Sequence, residues 1–121
     1  KVINYGTGGT ITTPDGEKLK FVMKLDVKAT AYTTEGYERK TTATGTVARV
    51  GAIAVDPKVI PYGTTVYVSS KNGKSWVYGV ATCEDTGGAI KGNKVDLFFD
   101  TRAECFEFGR RNAVVYILER D

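Results

Sequence analysis

The sequence predicts a small all-β domain with one short helix. Apolar runs rich in β-branched residues recur along the chain, and Gly, Pro, Asn or Asp residues separate them. Only residues 101–109 change to a helical pattern, which Asp100 or Thr101 can cap and Gly109 can end. The 121 residues are enough for one domain with its own core. Short strands joined by turns, with so little helix, favour a small closed barrel.

Alternation and turn residues place the strands, giving about six or seven in the core. Residues 25–33 alternate apolar and polar side chains with a period of two, as a half-buried strand does. Asp56-Pro57 ends a strand, because Pro57 disfavours helical geometry at the residue before it. Asn72-Gly73 marks a hairpin turn. The predicted strands are residues 18–25, 25–33, 44–48, 50–55, 64–69, 76–83, 95–99 and 113–118.

Residues 1–24 are expected to form an N-terminal extension, with the barrel domain over residues 25–121. The extension contains a glycine-rich stretch and a turn at residues 13–16. It is either a connector from a preceding module or a hairpin packed on the barrel. Because the chain starts at Lys1 without a signal-peptide pattern, we expect a processed or excised piece of a longer protein.

Composition excludes several classes of function. The net charge is +3 and no dense basic block occurs, so nucleic-acid binding has little support, whereas an anionic polymer such as cell wall would suit the charge. No apolar run approaches the roughly 18 residues that span a bilayer, so no transmembrane segment is expected. The chain contains no histidine, which removes Ser-His-Asp and Cys-His catalysis and the commonest zinc ligand. Carboxylates are therefore the leading acid–base candidates.

Two acids flank a glycine-rich loop between predicted strands. Asp85 ends one strand and Asp96 begins the next, with Gly87, Gly88 and Gly92 between them to let the backbone turn. If the loop brings the two carboxylates close, one of them holds its proton to a higher pH, as neutral-pH acid catalysis requires. The alternative is ordinary turn chemistry, since Asp side chains bond to nearby backbone amides.

The two cysteines offer two interpretations. A bond between Cys83 and Cys105 would tie the strand before Asp85 to the helix after Asp96, and the closed loop would contribute about 3 kcal/mol. Otherwise they are two buried thiols that pack as small hydrophobic groups.

Several motifs, taken in order, resemble one known family. They are Ala29-Thr-Ala-Tyr-Thr33, Thr44-Gly-Thr46, Ile53-Ala-Val-Asp-Pro57, Ile60-Pro-Tyr-Gly63, Glu84-Asp-Thr-Gly-Gly-Ala-Ile-Lys-Gly92, Val95-Asp-Leu-Phe-Phe99 and Phe108-Gly-Arg-Arg111. Together, over roughly residues 25–119, they resemble the 3D domain, which is named for three aspartates and occurs in stationary-phase survival proteins and related cell-wall proteins of spore-forming, Gram-positive-type bacteria. This domain is similar to the catalytic barrel of membrane-bound lytic transglycosylase A.

The resemblance implies a six-stranded double-psi β-barrel that cleaves the β-1,4 bond between N-acetylmuramic acid and N-acetylglucosamine in peptidoglycan. No water enters this reaction, no cofactor is expected, and the product is a 1,6-anhydro sugar. By motif, Asp96 is the acid and then the base. Asp85 is the partner that raises its proton affinity or stabilises positive charge at C1, and Asp56 gives electrostatic or hydrogen-bonding support.

The resemblance also suggests weaker binding candidates. Tyr32, Thr33 and Thr44 could bond sugar hydroxyls, although alternating Thr and Tyr is also plain strand composition. Lys91 could meet a peptide-stem carboxylate or be an exposed loop lysine. The expected location is secreted, at the cell wall, with an upstream module in the full protein, since the first residues resemble the link after a G5 module.

Two other functions stay open. One is a non-catalytic glycan-binding barrel, which retention of all three aspartates argues against. The other is a carboxylate site for calcium or magnesium.

Overall fold

A computed structural model describes residues 8–38 and 40–119, which form a mostly β fold with one short helix, as predicted. The elements are β1 (Gly9–Thr12), β2 (Lys18–Tyr32), β3 (Ala52–Val55), β4 (Thr65–Ser69), β5 (Val77–Asp85), β6 (Lys94–Phe98), α1 (Arg102–Phe108) and β7 (Arg111–Leu118). None of the described residues forms a helix with the length and apolar character that crossing a membrane requires.

Six of the strands close into a ring in the order β2–β6–β3–β5–β4–β7, because β7 pairs back with β2. β2 pairs with β6 in parallel, and so does β3 with β5, while the other neighbours are antiparallel. β1 lies outside the ring and pairs with the first part of β2 as an antiparallel hairpin. A closed ring leaves its strands without a free edge, which removes a template for aggregation.

The core fills the inside of the ring. Alternate residues of each strand point inward, so Leu25, Val27 and Ala29 of β2 meet Val95 and Leu97 of β6. Each fully buried Leu, Ile or Val contributes about 1.5–3 kcal/mol by leaving water. The other core side chains come from the remaining strands, from the segment between β3 and β4, and from α1 (Ile53, Val55, Ile60, Val66, Val68, Ala81, Cys83, Phe108, Ala113 and Val115).

α1 begins and ends as its sequence indicates. Thr101 is the N-cap, and Thr101 and Glu104 form a reciprocal capping box. Gly109 ends the helix at a φ of 62°, where a side chain would be strained. Phe108 is buried and packs edge-on against Trp76 with ring centroids 5.1 Å apart, which fixes the helix on the core.

Two strand predictions need correction. The predicted strands 18–25 and 25–33 are one continuous strand, β2. The strand predicted over residues 44–48 is wrong: this stretch is a loop, and the nearest ladder contact is a single bridge between Thr41 and Val47. Its threonine hydroxyls bond to one another and to Glu84, which competes with ladder formation.

The disulfide interpretation is also wrong for this structure, in which Cys83 and Cys105 are free thiols. Cys83 points into the interior of the ring and is fully buried, whereas Cys105 lies on α1 and is partly exposed. Burial raises the pKa of the Cys83 thiol to about 12.

Candidate active site

Asp85 and Asp96 lie in one row across four neighbouring strands. Ala54 of β3 is opposite Asp85 of β5 on one side and opposite Asp96 of β6 on the other. Thr30 of β2 continues the row on the far side of Asp96. Neighbouring strands are about 4.8 Å apart, so the Cα atoms of the two aspartates are roughly 10 Å apart. Ala54, which lies between them in the row, is itself buried.

An irregularity between β3 and β5 brings Asp85 into this row. The pairing runs from Ala52 with Thr82 to Ile53 with Cys83, then skips one residue so that Ala54 meets Asp85 rather than Glu84. A one-residue shift turns the following side chains to the other face of a sheet. The bulge therefore places Asp85, and not its neighbour Glu84, beside Ala54.

Asp96 sits on the outer face of β6, partly shielded from water. Its neighbours Val95 and Leu97 point into the core, because successive side chains of a strand alternate between its two faces. The Thr30 hydroxyl donates to Asp96 Oδ1 over 2.9 Å. Burial raises the pKa of Asp96, and the charge of Asp85 adds to this, while the Thr30 bond and the Lys94 ammonium act in the opposite direction.

Three donors hold the Asp85 carboxylate. The Tyr32 hydroxyl donates to Oδ2 over 3.2 Å, and the amides of Ala43 and Thr86 donate to Oδ1 over 2.9 Å each. The same Tyr32 hydroxyl lies 3.3 Å from the carbonyl oxygen of Ala52. Burial, followed by the charge of Asp85, raises the pKa of Tyr32, so the phenol keeps its proton and remains a donor.

A polar network under residues 42–46 supports the Asp85 end of the row. Glu84 is 7% exposed and takes two bonds from the Arg49 guanidinium, 2.9 and 2.7 Å long. The Thr46 hydroxyl donates to the same carboxylate and pairs with Thr42. This network anchors the loop whose Ala43 amide binds Asp85.

Asp56 is engaged elsewhere. It is buried at the end of β3, and its oxygens accept from the amides of Lys58 (3.0 Å) and Gly92 (2.8 Å), which lower its pKa. Lys91 is exposed and lies near Asp56, which its charge also affects. Within the described part of the chain, no hydrogen bond joins Asp56 to the other two aspartates.

The remaining predicted binding residues have partners within the protein. The Thr33 hydroxyl donates to the carbonyl oxygen of Asp100 (3.2 Å), and that of Thr44 donates to the carbonyl oxygen of Glu84 (3.0 Å). Tyr32 belongs to the site as the donor to Asp85. Among residues 8–38 and 40–119, no group of three or more His, Cys, Asp or Glu side chains is placed to hold a metal ion.

Sequence reasoning missed three contributors to the site, namely Thr30, Arg49 and Glu84. The Thr30 signal is its place two residues before Tyr32, on the same face of the strand. Glu84 is next to Asp85 at the end of the predicted strand, and nothing in its residue type or position marked it as a site residue. The Arg49 pairing depends on a loop whose course the sequence does not indicate.

The row suits proton transfer to and from a bound molecule. Asp96 is a carboxyl group with a raised pKa, accessible from the outer face and held by one hydroxyl donor. Asp85 offers a fixed carboxylate across Ala54. Such a pair can donate a proton at one carboxyl group and stabilise positive charge with the other.

Comparison with known proteins identifies the family. Residues 51–119, more than half of the chain, match the 3D domain. The chain belongs to the 3D domain family. The resemblance drawn from the sequence motifs is thereby confirmed.

This 3D domain is similar to two longer proteins of Bacillus subtilis (strain 168). It is 43% identical over 100 residues to the "Cell wall-binding protein YocH", an alignment covering 78% of this chain and 32% of that protein. It is 36% identical over 122 residues to the "Putative cell wall shaping protein YabE", covering 93% of this chain and 27% of that protein. The 3D domain thus spans less than a third of either relative.

Among solved structures, the fold of this 3D domain is similar to that of the Escherichia coli lytic transglycosylase MltA. One crystal structure of MltA matches with a TM-score of 0.57 and 21% identity, over 71% of this chain and 29% of that chain. MltA with bound chitohexaose matches with a TM-score of 0.51 and 21% identity, over 69% of this chain and 28% of that chain. At this identity the likeness establishes the fold only.

Proposed function

We propose that this 3D domain is a peptidoglycan lytic transglycosylase whose acid and base is Asp96. The bond cleaved is the β-1,4 link between N-acetylmuramic acid and N-acetylglucosamine. The observation that carries this proposal is the half-buried Asp96 carboxyl group, which has a raised pKa and lies across Ala54 from the fixed carboxylate of Asp85.

The reaction needs one carboxyl group to change its protonation state twice. Protonated Asp96 gives its proton to the glycosidic oxygen, and the bond between C1 and that oxygen breaks. Positive charge that develops at C1 faces the Asp85 carboxylate. The Asp96 carboxylate then takes the proton of the muramoyl C6 hydroxyl as O6 bonds to C1. The products are a 1,6-anhydro sugar and a free 4-hydroxyl group, and Asp96 is again protonated.

Asp56 has a positioning role in this proposal. Its carboxylate binds the Gly92 amide, and so holds the loop that leads into β6, two residues before Lys94. Gly92 adopts a φ of 71°, whereas Gly87 and Gly88 do not have a positive φ. Asp56 thereby fixes the turn from which the Asp96 strand begins.

The relatives support a cell-wall substrate. A protein named for cell wall binding and one named for cell wall shaping share this domain, and MltA shares its fold. We therefore infer action outside the membrane, on peptidoglycan glycan strands, by a secreted protein that has an upstream module.

We also infer that the ring is a double-psi barrel over residues 25–121, with residues 1–24 as an extension. The parallel pairs β2–β6 and β3–β5 on either side of the antiparallel pair β6–β3 support this topology.

A non-catalytic glycan-binding module is the second candidate. The name of YocH favours it, since that protein is named for binding and not for cleavage. The two functions differ in one respect that can be measured, because binding tolerates an amide at position 96 and cleavage does not.

The test is mass spectrometry of the products from purified peptidoglycan, with Asp96→Asn beside the wild type. We expect anhydro-muropeptides from the wild type and a loss of about 100-fold or more in the variant, because an amide cannot transfer the proton. Asp100→Asn is the matched control, since Asp100 is exposed and lies outside the row.

Two results would overturn the proposal. Reducing-end products would indicate hydrolysis by water. No soluble product from either protein, with binding to peptidoglycan intact in a pull-down, would establish the binding module.

A further inference from the structure

A groove of about 620 Å³ opens beside the row of aspartates, between the loop after β2 and the helix α1. Its lining includes Tyr32, Thr33 and Tyr37 on one side and Arg102, Cys105 and Phe106 on the other. Tyr32 connects it to the site, because its hydroxyl binds Asp85. Tyr32 is also two residues beyond Thr30, which is paired with Asp96, and lies on the same face of β2, so the groove begins beside Asp96.

Two large aromatic side chains in this groove face water. Phe106 is 91% exposed and Tyr37 is 59% exposed. A phenylalanine at that exposure contributes almost nothing to the core, and neighbouring exposed apolar groups mark binding surfaces. The two rings therefore require an explanation outside folding.

Arg102 also breaks a local rule. It is the first residue of α1, where a cation opposes the helix dipole. Its guanidinium lies 5.7 Å from the centre of the Tyr37 ring, and a side chain at Gly36 would meet its Nη2 at 2.8 Å. Gly36 thus lets the loop approach closely and hold Arg102 against Tyr37 in the groove.

We propose that this groove is a saccharide subsite that binds an N-acetylhexosamine ring next to the one held at Asp96. The inference deepens the proposed function and names the part of the glycan strand that this face would bind. The C–H face of a pyranose ring is apolar and packs on an aromatic ring. Phe106 and Tyr37 supply such rings, and Arg102 supplies donors for hydroxyl and acetamido oxygens.

The charges around the groove favour a neutral sugar over a carboxylate-bearing group. Glu35 lies in the loop after β2 and Glu104 lies on α1, the two segments that border the groove, and Asp96 lies in the neighbouring row. Glu35 accepts from the Arg102 amide and Glu104 from Thr101, so both stay in place. Arg102 and Lys40, whose ammonium donates to the Thr34 carbonyl oxygen over 3.1 Å, do not outnumber these acids, so the groove has no excess of positive charge to attract an anion.

The first test is an NMR titration of the isotope-labelled Asp96→Asn protein with chitohexaose, a neutral oligomer of N-acetylglucosamine. We expect the largest shift changes at residues 33–37 and 101–106. Adding Phe106→Ala should weaken binding about 10-fold, as expected for the loss of a stacked ring. Tyr62→Ala is the matched control, since Tyr62 is 40% exposed in a different groove.

Arg102→Gln and Arg110→Gln form a second matched pair. Both arginines are exposed, but Arg110 lies away from this groove, so only Arg102→Gln should weaken binding. The thiol gives an independent readout. Cys83 is fully buried and Cys105 lines the groove, so chitohexaose should slow the reaction of Cys105 with a thiol reagent.

Three results would overturn the subsite: equal binding by Phe106→Ala and Tyr62→Ala, shift changes confined to another groove, or no binding of chitohexaose. Each leaves the proposed function separately measurable, because anhydro products from wild-type protein would still establish cleavage. Conversely, binding in the groove without anhydro products would keep the subsite and reject the enzyme.

Discussion

Two effects of opposite sign act on the carboxyl group of Asp96. Burial makes the charged form unfavourable and raises its pKa, and the Asp85 charge adds to this. The Thr30 hydroxyl stabilises the charged form through its 2.9 Å bond and lowers the pKa. The pKa remains above the ordinary value of 3.8 because burial is the larger effect. Thr30 therefore limits how far the acid is shifted.

Replacing that hydroxyl should move the pH profile of cleavage. In Thr30→Val the bond is lost and only the Lys94 ammonium still opposes burial, so the pKa of Asp96 rises further. In the proposed reaction, cleavage requires protonated Asp96 and falls as the pH rises through this pKa. In a plot of the rate of anhydro-product release against pH, the descending limb should therefore shift to higher pH. Thr65→Val, at an exposed threonine on β4, should leave the limb in place. A shift to lower pH would contradict this account.

The residues of the row differ in how far the sequence could predict them. The motifs gave Asp85, Asp96 and Tyr32, because each side chain type carries a chemical signal of its own. Thr30 looked like ordinary strand composition. Its role depends on pairing with Asp96, which is 66 residues further along the chain, and on the register of β2 against β6. Register between distant strands is a tertiary property that local pattern does not contain.

At the level of elements, the bulge between β3 and β5 and the loop over residues 42–46 act together on Asp85. The bulge places Asp85 opposite Ala54, and the loop supplies the Ala43 amide.

Most strands were predicted from the sequence because alternation and turn residues are local patterns. The error at residues 44–48 came from reading β-branched threonines as a strand. Their hydroxyls instead bind Glu84, Thr44 at its backbone carbonyl oxygen and Thr46 at its buried carboxylate, about 40 residues away in the sequence.

The charge of Glu84 should be what stabilises this loop. Arg49 lowers the pKa of Glu84 through its paired hydrogen bonds. The stabilisation is therefore present above the ordinary pKa of 4.5 and is lost as the pH falls through the lowered value in the folded protein. Glu84→Gln should reduce the free energy of unfolding at pH 7 by about 1 kcal/mol, a modest value because Arg49 is half exposed.

Urea unfolding at pH 7 and at pH 3 measures this difference. The difference in free energy of unfolding between Glu84→Gln and the wild type should be smaller at pH 3, because the wild-type carboxylate is also being neutralised there. Glu107→Gln is the control, since Glu107 is exposed on α1. If this difference in free energy is the same at both pH values, the destabilisation comes from packing and not from charge.

The whole molecule is held together by ring closure. β7 pairs with β2 from Phe21 to Ala29 and with β4 on its other side, so the last strand of the chain completes the ring. The site occupies the outer face of β2, β6, β3 and β5, and α1 borders the neighbouring groove. The sequence predicted that the strands close on themselves, because it contains many short strands joined by turns and little helix. The order of strands could not be predicted in this way, because five of the six ring contacts join strands that are not consecutive in sequence.

Because the two thiols are free, the stability of this ring should not depend on reducing agent. Cys83 packs in the core, and its raised thiol pKa of about 12 leaves it in the unreactive protonated form. The thermal midpoint should be the same with and without dithiothreitol, and Cys105→Ser should leave it nearly unchanged. Cys83→Ser should lower the midpoint under both conditions, because it places a hydroxyl group in the core. A bond between the cysteines would contribute about 3 kcal/mol, which corresponds to roughly 10 °C. A fall of that size on reduction, absent in Cys105→Ser, would establish the bond instead.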